Sequence, residues 1–334
     1  MNPFKCLPFF HPTRIAFIDD ERSFLSILLN RLKIGLPVVT YDSPRAFLAD
    51  LKQKRVSVEL DTDWWTCYAD VVGDPAQNQI VVLDKAMIFQ HLYDENRFET
   101  LSVIVVDYDM PEMSGLTLCR ELADLPCKKI LLTGHADSNT VVHAFNEGLI
   151  DLYLPKFHPR LELELKTAVR RFQLQYMTAA TELVAQVLRA EDPAIWSDAS
   201  FCALFQRICA DRGAVEYYAV DDPKGFLLLD RFAHARLLLL YSGAEIDAQC
   251  AAAKASRAPA GVVAELQARR GALHFQDDGG DQVLTERQWW DACIPTYAFP
   301  GNTGRFYSVV DRPEPFPVTP DTVLGLGRYL SMSR

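Results

Sequence analysis

The strongest constraint in this 334-residue chain is a repeated pattern, in which a short apolar run ends in a polar residue and an amphipathic stretch with helical spacing follows. Residues 14–18 (RIAFI) end in Asp19 and Asp20 and lead into a stretch that carries Phe24, Ile27, Leu28 and Leu32 on one face. Residues 38–41 followed by 43–51 repeat the theme. Residues 102–106 (SVIVV) end at Asp107, 129–132 (KILL) end at Thr133, and 152–154 lead to Lys156, with helical patterns at 117–122 and 140–147 between them. Continuous apolar runs of this length are strands covered on both faces, as parallel sheets require. Five of them alternating with helices predict an α/β domain built on a doubly wound, five-stranded parallel sheet.

In such a sheet the strand carboxyl ends lie on one side, so Asp19, Asp20, Asp107, Thr133 and Lys156 are expected around one pocket. Three crowded carboxylates repel, and a hard divalent cation such as Mg²⁺ relieves the repulsion while keeping several waters. A carboxylate nucleophile can attack a phosphoryl donor when the developing negative charge is neutralised, which the cation and the Lys156 ammonium would do. Thr133 is placed to hydrogen-bond a phosphoryl oxygen. Taken singly, each residue has a plainer reading: Asp20 as a helix cap, Lys156 as a solvated surface lysine, Tyr153 as core. The ordered set at strand ends outweighs these readings. Gly134 leaves room at the pocket mouth, and His135 reads as a surface loop residue.

The segments FIDDE, VVDYDMPEMSGL, LLTGHAD and DLYLPK, in that order, resemble the phosphoacceptor receiver domain of two-component response regulators, over about residues 13–175 apart from an insertion. The resemblance implies a flavodoxin-like fold and phosphorylation of Asp107 by a sensor histidine kinase or a phosphotransfer protein. It makes Asp19, Asp20 and Asp107 ligands of Mg²⁺, with the backbone carbonyl of Asp109. It gives Thr133 and Lys156 contacts to the phosphoryl group, and it makes Tyr153 the aromatic switch that rotates when Thr133 moves toward the phosphate. There are two departures. Family members usually carry Pro directly after the lysine, whereas here Pro155 precedes Lys156 and Phe157 follows, which puts the reach of Lys156 in question. The second is the insertion, at about 52–100. Since every acidic residue is retained, an active receiver is expected; the alternative is a phosphate-independent pseudo-receiver that serves as an interaction scaffold.

The insertion joins the second helix to the third strand, so it should project from the sheet edge opposite the strand carboxyl ends, away from the chemistry. Its paired Trp64 and Trp65 suggest a small local core. From Pro159 to about Arg189 the pattern reads as one unbroken helix. Leu165, Val169, Phe172, Tyr176, Ala179 and Leu183 recur in it at the alternating fours and threes of an a/d seam. The seam fits a dimerising stalk, and hence a homodimer, as well as it fits a helix packed on its own domains. The expected division is a receiver over 1–175, a linker helix over 159–190 and an α+β output domain over 190–334. In the last of these, apolar runs at 215–220, 226–230 and 235–241 with short turns predict an antiparallel meander.

Composition narrows what the output half can do. The chain carries 34 Lys plus Arg against 44 Asp plus Glu, and residues 179–334 carry 15 against 20, whereas nucleic-acid affinity rests on concentrated basic residues. That balance favours a protein-interaction module, with a nucleotide- or DNA-binding transcriptional regulator as the rival. No nucleophile and base are recognisable in 190–334, so no enzyme is expected. The FQDDGGDQ loop at 275–282 reads as a solvated turn before it reads as a metal site. The order and size of the parts also resemble the quorum-sensing response regulators of α-hydroxyketone (Lqs-type) systems, whose output domains have been likened to nucleotide-binding folds.

No apolar run approaches the roughly 20 residues of a membrane helix, and the first residues do not read as a signal peptide. Eight cysteines without a CxxC pair fit buried, reduced thiols in a cytoplasmic protein.

Overall fold

The computed structural model describes residues 6–53, 55–58, 60, 65–69, 79–83, 85–134, 138–275, 284–301, 304–311 and 316–332. They form two compact units. One comprises His11–Asp63, Asp94–Leu183 and Tyr329–Arg334; the other comprises Met1–Phe10, Trp64–Tyr93 and Val184–Arg328.

The first unit is built on five parallel strands, β1 (Arg14–Ile18), β2 (Val38–Tyr41), β3 (Leu101–Asp107), β4 (Lys128–Thr133) and β5 (Leu152–Pro155), in the spatial order β2-β1-β3-β4-β5. This is the flavodoxin-like order, with the switch point between β1 and β3. β3 is buried along its whole length. Its side chains alternate between two cores: Ile104 and Val106 join Ala16, Phe47 and Leu116 on one face, while Val103 and Val105 join Ile15, Phe17, Leu28 and Leu165 on the other. Each such side chain contributes roughly 1.5–3 kcal/mol by leaving water.

The helices are α1 (Arg22–Leu32), α2 (Pro44–Lys52), α3 (Gly115–Glu121), α4 (Ser138–Asn146) and α5 (Leu161–Ala180). Ser43 and Ser114 cap α2 and α3 by accepting from the N–H of Ala46 and Thr117. The Gln173 amide of α5 donates to the carbonyl and hydroxyl of Thr13, at 2.7 and 3.0 Å.

The expected unbroken helix is two helices. α5 ends at Ala180, Thr181 is buried and donates its hydroxyl to the Met177 carbonyl at 2.7 Å, and α6 begins anew over Glu182–Glu191. Such back-bonding by a threonine competes with continuation of the helix. The seam residues Leu165, Val169 and Phe172 are buried in the core against β1, β3 and β4, so this chain itself covers them.

The second unit is α+β. Its antiparallel sheet runs, in space, from the short strand Phe9–Phe10 through β6 (Ala214–Asp221), β7 (Lys224–Asp230), β8 (Ala235–Ser242) and β11 (Arg305–Val310) to the short strand Tyr297–Ala298. Further helices are α7 (Ala199–Asp211), α8 (Gly243–Ala255), α9 (Ala260–Gln267) and α10 (Glu286–Ala292), and a small second sheet pairs β9 (Gly271–Leu273) with β10 (Cys293–Pro295). The expected meander is β6, β7 and β8, paired in sequence.

Between Trp64 and Tyr93, the described part of the insertion is grouped with the second unit. Its hairpin (Trp65–Ala69 with Gln79–Leu83) and the helix Lys85–Gln90 belong to this second unit, where that helix packs along β6. Ile88 and Leu92 are fully buried there, and Phe89 meets Phe316 at 4.8 Å. These apolar residues need a sheet face to cover them, and β6 supplies it. Trp64, the Trp65 side chain, the loop at 73–78, His135 and residues 276–282 lie outside the described residues. Among the described residues no helix is long and apolar enough to cross a membrane.

Candidate functional site

The carboxyl ends of β1, β3, β4 and β5 bring the expected residues together. Asp19 follows β1 directly, is 2% exposed, and accepts the Glu21 N–H at 2.9 Å through Oδ1. Asp107 closes β3 and is also buried. Asp20 is exposed and is not the cap of α1, which starts from Glu21 without a side-chain cap bond. Asp19, Asp20 and Asp107 each offer a carboxylate oxygen, and these lie within 4.8 Å of one another, the spacing one cation needs. Asp109, two residues past Asp107, is exposed.

Lys156 reaches the centre despite the shifted proline. Pro155 pairs with Thr133 in register, and the Lys156 N–H donates to the Thr133 carbonyl at 2.8 Å, so the ladder runs one residue past the strand. The Lys156 Nζ lies 2.7 Å from Asp19 Oδ2 and 2.9 Å from Asp107 Oδ2. The approach to Asp19 Oδ2 is a charge contact without good hydrogen-bond direction, so that oxygen keeps its accepting capacity. Burial raises the pKa of both carboxyls, and the Lys156 ammonium pulls each back. The ammonium is itself pushed down by burial, yet the two carboxylates outweigh that and hold its pKa above the usual value.

Thr133 is 1% exposed and its Oγ1 is buried with no hydrogen-bond partner among the described residues. A buried hydroxyl without a partner is unfavourable by about 1–3 kcal/mol and suits a site that awaits an acceptor. Tyr153 sits on β5 opposite Leu131, partly buried against the core shared by α3 and α4.

Three residues escaped the sequence reading. Phe24 on α1 places its ring 4.6 Å from the Lys156 Nζ, a cation–π contact on a side the carboxylates leave open. A Cβ at Gly115 would stand 2.1 Å from the Asp107 carbonyl oxygen, so only glycine lets α3 begin against the acceptor strand. Phe157 is 78% exposed and comes within 3.4 Å of the position a Cβ would take on Gly134, so an aromatic ring occupies space that Gly134 leaves open. The spacing of Phe24 is that of any amphipathic helix, and a ring over an ammonium leaves no periodic mark. The SG pair in VVDYDMPEMSGL was visible, but its reason is a contact between backbones.

The antiparallel unit has a cavity of about 60 Å³ lined by Ile88, Leu188, Trp196, Phe226, Asp192 and Lys224, far below the 300–1,000 Å³ of a typical small-molecule site. Its buried Asp192 is already met by Lys224 at 2.7 Å and Arg305 at 3.1 Å.

The family model of the response regulator receiver domain matches residues 73–168, a span that holds Asp107, Thr133 and Lys156 and begins after Asp19 and Asp20. The transcriptional regulatory protein FixJ of Rhizobium meliloti (strain 1021) is 38% identical over 64 residues, which cover 19% of this chain and 31% of FixJ. The match therefore spans less than a third of that relative. The structure of the Legionella pneumophila response regulator LqsR is similar over nearly the whole length, with 30% identity, a TM-score of 0.75, and coverage of 98% of this chain and 96% of that one. A likeness that spans both units, joined to a receiver match around the acceptor strand, places this chain in the family of two-component response regulators.

Proposed function

We propose that the protein accepts a phosphoryl group on Asp107 from the phosphohistidine of a sensor histidine kinase or phosphotransfer protein, and that this switches the antiparallel unit. The observation that carries the reading is the Lys156 ammonium, held 2.7 and 2.9 Å from two buried carboxylates beside the Thr133 hydroxyl, which has no hydrogen-bond partner among the described residues. An Asp107 carboxylate oxygen attacks phosphorus, the bond from phosphorus to the donor nitrogen breaks, and an acyl phosphate forms. Lys156 meets the charge on the phosphoryl oxygens, and Thr133 Oγ1 donates to one of them. Asp19, Asp20, Asp107 and the Asp109 backbone carbonyl would hold Mg²⁺, which supplies the further positive charge that in-line transfer needs. Movement of Thr133 toward the phosphoryl group frees space for Tyr153, and the added charge biases this two-state element. The exchange takes place in the cytoplasm, with the protein as phosphoryl acceptor and without an enzymatic activity of its own. The acidic balance of residues 179–334 favours a protein target for the output unit, or a second copy of the chain, over nucleic acid.

The test is intact-mass spectrometry of the full chain with acetyl phosphate and Mg²⁺, beside Asp107→Asn, with light scattering on the same samples. A single phosphoryl adduct on wild type alone supports the reading. A folded wild type without adduct, or an equal adduct on Asp107→Asn, would overturn it, and the first unit would then stand as a phosphate-independent scaffold.

A further inference from the structure

One aromatic ring is held at the open side of the acceptor site by backbone bonds, with little burial of its own. Phe157 follows Lys156, and Gly134 follows Thr133. The Lys156 N–H donates to the Thr133 carbonyl at 2.8 Å, which keeps the two strand ends in register. The His158 N–H donates to the Pro155 carbonyl at 3.1 Å, closing a four-residue turn with Lys156 and Phe157 at its centre. These two bonds fix Phe157 beside Gly134, and its ring atom Cε2 comes within 3.4 Å of the position a Cβ would take there. The ring is 78% exposed, so burial of apolar surface contributes little to its placement.

We propose that Phe157 controls access to the phosphoryl site, its ring narrowing the approach by which phosphodonor and water reach phosphorus, a role that rests on Asp107 being the phosphoryl acceptor. Asp19, Asp107 and Thr133 are buried, and the Lys156 side chain is only 10% exposed, so packed protein closes the inner sides of the site. A phosphoryl group on Asp107 is therefore approached from the open side. There Phe157 and Gly134 each stand one residue beyond a group that would contact the phosphoryl oxygens. Asp20 and Asp109 are exposed as well, but their carboxylates admit water. Phe157 brings apolar surface to the same rim, and the missing side chain at Gly134 lets the ring lie close to the strand end.

Gain and loss of the phosphoryl group use the same line. In transfer, an Asp107 oxygen attacks phosphorus and the donor departs on the far side. In hydrolysis, a water oxygen attacks phosphorus from that far side and the bond from phosphorus to the Asp107 oxygen breaks. The carboxylate is restored, and both water protons remain on the released phosphate. A ring beside this line slows both steps without touching a reacting atom, and it thereby sets how long the acyl phosphate lasts.

The experiment follows growth of the adduct on the full chain with radiolabelled acetyl phosphate and Mg²⁺, then its loss after the donor is removed by rapid desalting. Phe157→Ala should raise both rate constants by about 3- to 10-fold, and Phe157→Leu should raise both by less. The Mg²⁺ concentration for half-maximal labelling should not change. Because the side chain is mostly in water, the melting temperature should stay within about 2 °C of wild type. Labelled wild type with equal rates in Phe157→Ala, or a change in only one of the two rates, would overturn the access role and leave Asp107 as the acceptor. A rate change that comes with a shifted Mg²⁺ midpoint or melting temperature would overturn it in favour of a structural role. Absence of any adduct on folded wild type would remove the acceptor, and the access role with it.

Discussion

In the parallel sheet two buried carboxylates, Asp19 and Asp107, face the one ammonium of Lys156, whereas in the antiparallel unit one buried carboxylate, Asp192, is met by both Lys224 and Arg305. The first arrangement leaves negative charge unanswered and a neighbouring hydroxyl without a partner among the described residues; the second answers its charge in full. An imbalance held in a packed interior is unfavourable by itself, and it persists where a cation or a phosphoryl group completes it. A balanced group needs no ligand, and Asp192 reads as a tie between α6 and the sheet.

The sharpest way to break this comparison is at the acceptor. Asp107→Asn should show no phosphoryl adduct with acetyl phosphate, since the attacking oxygen is gone, while Asp192→Ala should phosphorylate as wild type does. Adducts on both, or on neither, would end the distinction between the two acids.

Next come two glycines that each admit a neighbouring backbone. A Cβ at Gly115 would stand 2.1 Å from the Asp107 carbonyl oxygen, and one at Gly225 would stand 2.0 Å from the Leu238 carbonyl oxygen. Alanine at either position should destabilise by about 2–3 kcal/mol in urea unfolding, since backbone must shift. Only Gly115→Ala should also slow phosphorylation, because the atoms displaced belong to the acceptor residue.

The signs of two acid substitutions should differ. Asp107→Asn removes surplus negative charge and should stabilise the metal-free protein by about 1–2 kcal/mol, whereas Asp192→Ala leaves two cations without their partner and should destabilise by about the same amount. That figure allows for the side chains of Lys224 and Arg305 being 38% and 25% exposed. Thermal melts of both variants in EDTA check the signs.

The smallest effect concerns Phe24. Phe24→Leu should slow phosphorylation by about 2- to 5-fold, the equivalent of about 0.5–1 kcal/mol of cation–π attraction, with Phe24→Tyr restoring it. An equal loss in both variants would assign Phe24 to packing alone.

The two sheets also differ in how far they can be read from sequence. Parallel strands buried on both faces leave continuous apolar runs such as SVIVV, and the polar residue that closes each run marks the side on which the strand ends gather. Asp19, Asp107, Thr133 and Lys156 were therefore legible together. In the antiparallel unit the strand ends alternate in direction, so no set of closing residues converges. The strands Phe9–Phe10 and Tyr297–Ala298 are too short to leave a period. The cover of Ile88 and Leu92 was not legible, because pattern reveals that these residues must be covered but says nothing of which sheet covers them. The helix break at Thr181 was missed because a hydroxyl bonded back to Met177 looks, in sequence, like any helical threonine.

The division of the chain has a consequence for how such a protein can be inherited. The backbone passes from one unit to the other five times, at 10/11, 63/64, 93/94, 183/184 and 328/329. A gene segment that ends at residue 183 would encode the acceptor site complete, yet it would also encode Phe9, Ile88 and Leu92 without the β6 strand against which they are packed. Recombination at a single breakpoint would thus leave both halves with bare apolar surface. The two units are bound to be transmitted, and to accumulate change, as one piece.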